Sequence, residues 1–138
     1  MRYLVLVAIL GLVGCTGEQS CTEIGCDDDA TITYPTGTVS GPYDLVVDTG
    51  TEMLTARCSD PGAPEVADNS PGLSCNASSF SVEGPAAQGH SLRVTLTPVG
   101  MDAIFEGAEV LLSVVDERQP NGPDCPPTCF SRTGQLGI

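Results

Sequence analysis

The chain has 138 residues, with 18 acidic against five basic side chains, and a formal net charge of −13 at pH 7. That balance repels nucleic-acid phosphates and disfavours docking on anionic lipid head groups. The length suits one domain, and with three Phe, three Tyr and no Trp its core has to be built from Val, Leu and Ile.

Met1-Arg2 forms a short positive start, and Tyr3 to Val13 is an apolar run without a charge. A spanning helix needs about 20 apolar residues, and this run is about half that, the length of a signal-peptide hydrophobic region. It ends in Leu12-Val13-Gly14-Cys15, and the chain turns polar at once with Thr16-Gly17-Glu18-Gln19-Ser20. The ending resembles the lipobox of bacterial lipoproteins, with Leu three places before the cut, a small residue just before it, and then Cys. The resemblance implies cleavage before Cys15, a diacylglycerol on its thiol and acylation of the new amine, with palmitate-type chains. It divides the chain into a signal peptide (1–14), a lipid anchor and short tether (15–27), and one domain (28–138). By analogy with the same family, the lack of Asp at position 16 places the product at the outer membrane of a host that has one. Removing residues 1–14, Arg2 among them, leaves 124 residues with four Arg, no Lys and 18 acidic groups, a formal charge of −14.

Cysteine arithmetic points the same way. Seven Cys is an odd number for an exported chain. Assigning Cys15 to lipid leaves Cys21, Cys26, Cys58, Cys75, Cys125 and Cys129, which can form three disulfides in an oxidising compartment.

In chain order, Ala30 to Tyr34 reads as a short strand. Tyr43, Leu45 and Val47 alternate with more polar neighbours, and Thr49-Gly50 turns the chain into Met53 to Cys58, with Gly50 suited to positive φ. Ser59 to Ser74, rich in Pro, Gly and Asp, reads as a long loop. Ser79 to Glu83 is the next strand. Leu92, Val94 and Leu96 then alternate with Arg93, Thr95 and Thr97. Val110, Leu112 and Val114 belong to a nearly continuous apolar stretch that reads as one central strand, and Gln119 to Cys129 reads as loop. No part of the mature chain keeps a 3.6-residue period. Six or seven short strands predict an all-β fold, an antiparallel β-sandwich or small barrel stapled by disulfides. Cys21-Thr22-Glu23-Ile24-Gly25-Cys26-Asp27, Gly41-Pro42-Tyr43, Cys58 and Pro120-Asn121-Gly122-Pro123-Asp124-Cys125 resemble segments of small, cysteine-rich lipoproteins of the myxobacterial type. That resemblance brings no activity with it.

Cys58 and Cys75 bracket the long loop and form the expected pair. For the other four, local bridges (Cys21 to Cys26, Cys125 to Cys129) compete with crossing ones. An extended Pro126-Pro127 segment would hold Cys125 and Cys129 some 12 Å apart, whereas a disulfide needs Cα atoms about 4.4–6.8 Å apart. A local bridge therefore requires a turn or a cis bond at Pro127. Crossing bridges, which also close longer loops, are favoured.

The remaining chemistry is sparse. Cys125-Pro126-Pro127-Thr128-Cys129 has the spacing C-x3-C rather than C-x-x-C, which favours structural disulfides over a redox pair. A zinc site is disfavoured by the single His. Asp27, Asp28 and Asp29 are the candidates for Ca²⁺, but consecutive residues of an extended chain face alternate sides, so a solvated acidic loop is the simpler reading. Asp48-Thr49-Gly50 is a turn signal first. His90 is the one imidazole and lies outside any G-x-S-x-G or H-E-x-x-H pattern. The expectation is therefore no enzyme, no cofactor and no nucleic-acid partner. It is an envelope lipoprotein held to the membrane by covalent lipid, acting as a structural module or binding an envelope protein. The alternative is an accessory protein whose acidic loops bind Ca²⁺ or a small ligand.

Overall fold

The computed structural model describes residues 21–59 and 69–137. The signal peptide and the Cys15 anchor expected from the sequence therefore lie outside the described residues, as does the middle of the loop from 59 to 74. The described chain forms nine strands: β1 (Asp29–Thr33), β2 (Tyr43–Asp48), β3 (Met53–Cys58), β4 (Leu73–Cys75), β5 (Ser79–Glu83), β6 (Ser91–Pro98), β7 (Phe105–Leu111), β8 (Ser113–Arg118) and β9 (Cys129–Gln135). One sheet has the order β4-β5-β1-β9-β8, and the other β3-β2-β6-β7. All pairings are antiparallel except β1 with β9. The fold is a disulfide-stapled β-sandwich.

The two-residue period of a strand decides which side chains go inside. Along β2, Tyr43, Leu45 and Val47 are buried while Asp44, Val46 and Asp48 are less so. Along β6, Leu92, Val94 and Leu96 are buried between more exposed neighbours. These face Ile32, Phe80 and Val82 of the five-stranded sheet in one aliphatic cluster that also takes in Val110 and Leu136. The β2–β3 turn forms as its sequence requires. Gly50 has φ +85°, and its N–H donates to Asp48 Oδ1 at 2.8 Å, the local side-chain turn that makes Asp a good start for a reversal.

Three sequence readings are corrected. The apolar stretch around Val110 to Val114 is not one central strand. It is divided at Leu112 between β7 and β8, which are edge strands of different sheets. Val110 is buried, whereas Leu111, Val114 and Val115 are exposed. The chain changes sheets there, so the side-chain alternation on which a single strand would rest is broken. Second, Cys129, read as the end of a loop, is the first residue of β9 (Cys129–Gln135), an inner strand whose polar content (Ser131, Arg132, Thr133, Gln135) conceals it in the sequence. Third, the loop after β3 ends earlier than expected, because Leu73–Cys75 pairs with β5.

β9 and the β7–β8 crossing come very close. A Cβ on Gly134 would lie 2.5 Å from Val110 Cγ1 and 3.1 Å from the Leu111 carbonyl oxygen. Only glycine lets the inner strand pass under the crossing without moving it.

Candidate functional site

The N-terminal segment is the part of the described chain through which any anchor at Cys15 would connect, and the structure ties it to the C-terminal tail. The register aligns Asp29 of β1 with Glu83 of β5 and with Ser131 of β9, and Arg118 of β8 with Cys129 of β9. One end of the five-stranded sheet thus gathers the start of β1, the end of β8 and the start of β9. Residues 21–28 lead into that end without regular structure, and they are held there by two covalent straps. Cys21 is bonded to Cys125 and Cys26 to Cys129, with Cα–Cα distances of 5.5 and 6.0 Å. The third bridge joins Cys58 of β3 to Cys75 of β4, and so one sheet to the other, at 5.7 Å. The Pro126-Pro127 bond is cis, yet Cys125 and Cys129 do not bridge each other.

Polar contacts complete the strap. Asn121 pairs with the backbone of Ile24 like a strand neighbour: its Oδ1 accepts the Ile24 N–H and its Nδ2 donates to the Ile24 carbonyl, both at 3.0 Å. Oδ1 also accepts the Thr22 hydroxyl at 2.8 Å, and Nδ2 donates to the Pro126 carbonyl at 2.6 Å. One side chain therefore joins both straps' flanking segments. In the sequence, Pro120-Asn121-Gly122-Pro123 signals only a turn; nothing in it announces this role.

The three aspartates are largely spent on the same task. Asp28 Oδ1 accepts the Phe130 N–H at 2.6 Å and lies 3.9 Å from Arg132 Nη1. That guanidinium, 9% exposed, also donates to the Ala87 carbonyl at 3.0 Å. Burying it needs such partners, because an unpaired interior charge is costly. Asp29 Oδ1 accepts from Arg118 Nη2 at 2.6 Å and from Ser131 Oγ at 2.8 Å, while Arg118 Nη2 also donates to the Asp27 carbonyl at 2.9 Å. Beside them is a polar surface depression of about 420 Å³ bordered by Asp27, Asp28, Asp29, Ser81, Glu83 and Arg118. Among the described residues, no three His, Cys, Asp or Glu side chains come together closely enough to hold a metal ion. The candidate Ca²⁺ aspartates are therefore adjacent in sequence but not assembled as a ligand set: the Asp28 and Asp29 carboxylates are engaged by arginines, a backbone N–H and a serine hydroxyl, and Asp27 contributes its backbone carbonyl.

His90 is exposed. Its carbonyl accepts the Leu112 N–H at 2.8 Å, where the chain passes between sheets. Near the Cys58–Cys75 bridge, the hydroxyls of Tyr34 and Tyr43 and the Asn76 carbonyl oxygen lie within hydrogen-bond reach of one another, Tyr43 Oη 2.7 Å from the carbonyl, and the two phenolic protons serve two of these three contacts at a time. The rings meet edge to face with centroids 6.3 Å apart. Burial pushes the ionisation of both phenols above the ordinary tyrosine range. This cluster seals polar groups inside the core and presents no reactive group to solvent. The chemistry on view is that of covalent and hydrogen-bonded attachment. Searches against protein-family models, curated proteins and solved structures find no match for the chain.

Proposed function

We propose that the chain is an exported lipoprotein, held to the membrane by lipid on Cys15, whose β-sandwich serves in the cell envelope as a structural or protein-interaction module. The observation that carries this reading is the lipobox-like Leu12-Val13-Gly14-Cys15, followed within a few residues by a cysteine bonded into the domain, Cys21 to Cys125. Disulfides persist in oxidising compartments, which agrees with export. Only Thr16 to Ser20 separate the two cysteines, and an extended residue spans at most about 3.5 Å, so the domain stays within roughly 20 Å of the head groups. A tether that short transmits position only if its far end is fixed. Two straps and Asn121 fix it.

The alternative role, Ca²⁺ or small-ligand binding by acidic loops, ranks lower because arginines and backbone N–H groups engage Asp28 and Asp29. A melt in millimolar Ca²⁺ is expected to match one in chelator; a higher midpoint would favour that alternative through mass action.

Anchoring is tested by fractionation. Stable attachment takes about two acyl chains, so the wild-type protein is expected in the membrane fraction. Cys15→Ser is expected to remain unprocessed and without lipid. Normal maturation and anchoring of that variant would overturn the proposal.

A further inference from the structure

Edge strands are where a sheet can accept a further strand, and natural sheets blunt them. Among the four edges here, β4 is only three residues long. The edge of β3 is covered: the Thr55 N–H donates to Ser70 Oγ, the Arg57 N–H to Asn69 Oδ1, and the Ser70 N–H to the Thr55 carbonyl. β7 is interrupted at Gly107, in the left-handed region at φ +57°, where its register with β6 shifts. β8 is different. Among the described residues it pairs with β9 alone, and all six of its residues are exposed. Its register shift falls at Val115, which has no partner in β9 and is 62% exposed, next to Val114 at 54%.

The charges on this edge have one sign. Arg118, its only cation, is turned back onto Asp29 and the Asp27 carbonyl. Asp116 and Glu117 form no ion pair among the described residues. The edge therefore carries two adjacent aliphatic side chains, Val114 and Val115, followed by two carboxylates in no ion pair, along a strand whose outward N–H and C=O groups have no sheet neighbour among the described residues. A second copy of this chain, itself at −13, would bring the same carboxylates against them.

We infer that β8 is a docking edge for a partner protein, which adds to the five-stranded sheet an extended segment in which a pair of aliphatic residues adjoins a pair of basic ones. Main-chain hydrogen bonds hold such a strand, and side chains select it. Val114 and Val115 take its aliphatic pair, and Asp116 and Glu117, on opposite faces of the strand, take its Lys or Arg pair. Specificity then comes from charge complementarity at an otherwise generic edge. This rests on the interaction-module reading of the domain and names the partner's chemistry.

The test uses the ¹⁵N-labelled, lipidated full-length product in detergent, titrated with a synthetic peptide of about six residues in which Val and Lys follow each other in pairs, the usual length of a strand. Amide shifts are expected to be confined to Leu111–Arg118 and their β9 partners, and to weaken with added salt. A twin peptide with Glu for Lys is expected to bind at least about tenfold more weakly, the cost of like charges facing each other. The Asp116→Asn/Glu117→Gln variant should weaken the Lys peptide similarly, and N-methylation of alternate peptide residues should abolish binding. No shifts at β8, shifts centred elsewhere, equal binding of the Glu twin, or undiminished binding of the N-methylated peptide would each overturn the inference. So would sedimentation as a dimer without peptide, with shifts at β8, which would assign the edge to a second copy. Membrane fractionation is read separately, so failure here leaves the anchoring proposal standing.

Discussion

The two sheets are stabilised in different ways. In the four-stranded sheet, β2 and β3 form a hairpin, and β2 pairs with β6 over all six residues from Tyr43 to Asp48 without a register shift. Aliphatic alternation and a tight turn are enough to specify it. The five-stranded sheet is instead built around β1 and β9, parallel neighbours from opposite ends of the described chain, with Asp29 beside Ser131. Bringing such distant segments together carries a loop-closure cost that hairpin contacts avoid. The two straps, spanning sequence separations of 104 and 103, lie next to that pairing. Covalent links are placed where chain entropy opposes the fold most, at the end to which residues 21–28 lead. On the anchoring proposed above, the tether would enter at that end, so that attachment and stability would share one device.

Four measurements would break or sharpen this contrast. The largest effect is expected from the straps. Removing either one by paired Cys→Ser changes opens only the small ring between the two bridges, because the other still closes the loop of about 100 residues, and costs about 3 kcal/mol in the chain-entropy model; removing the second opens that long loop and costs about 5 more. The total is comparable with the whole stability of a domain, about 5–15 kcal/mol. Opening Cys58–Cys75, which closes a separation of 17 residues, is expected to cost about 3 kcal/mol. Denaturant unfolding of the three variants should follow that order; if loss of both straps costs no more than loss of the Cys58–Cys75 bridge, the contrast collapses.

Gly134→Val probes the point where the sheets exchange the chain. Side-chain atoms there would overlap Val110 Cγ1 and the Leu111 carbonyl, and overpacking of this kind costs about 1–3 kcal/mol. A melting midpoint equal to wild type would show that the crossing yields freely.

Asn121→Asp keeps the shape but removes the donations to the Ile24 and Pro126 carbonyls. Loss is expected at about 1 kcal/mol, with faster hydrogen exchange at the Ile24 N–H and none in the four-stranded sheet. Exchange that quickens in both sheets alike would deny the strap its local character.

The smallest effect at neutral pH concerns the tyrosines at the other end. Burial raises the ionisation of Tyr34 and Tyr43 in the folded chain, so their contribution is fully present below the unfolded value near 10. Above it the unfolded chain loses its phenolic protons while the folded chain keeps them, and stability falls as pH rises. Melts from about pH 9 to about pH 11 should show this decline, and Tyr34→Phe should flatten it. An unchanged slope in that variant would remove the buried pair as the cause.

Much of the four-stranded sheet is legible in the sequence because β2, β3 and β6 each bury one face, which writes itself as a two-residue period. β5 is legible for the same reason, at the residues Ser79–Glu83. The strap is less so. An even remainder of cysteines signals bridges but does not say which sulfur meets which, since that depends on the proximity of segments about 100 residues apart. Asn121 reads as a turn residue because its partners, Ile24 and Thr22, are remote in sequence. β9 carries no strand signal of its own: its Ser131 and Arg132 are held by Asp29 and by Asp28 and Ala87, none of them local.

By itself, then, the sequence determined that the chain is all-β, which residues of its regular strands turn inward, where its clearest hairpin reverses, and that its cysteines are suited to cross-linking. Those properties follow from neighbours a few residues apart, through side-chain alternation and turn chemistry. Only the tertiary structure decided that one apolar stretch divides between two sheets, that a polar tail becomes an inner strand parallel to the first, that Asp28 and Asp29 serve arginines and a backbone N–H instead of forming a ligand set, and that one edge is left open among the described residues. Each depends on what a distant segment places alongside, and a contact made across a hundred residues leaves no period in either segment that makes it.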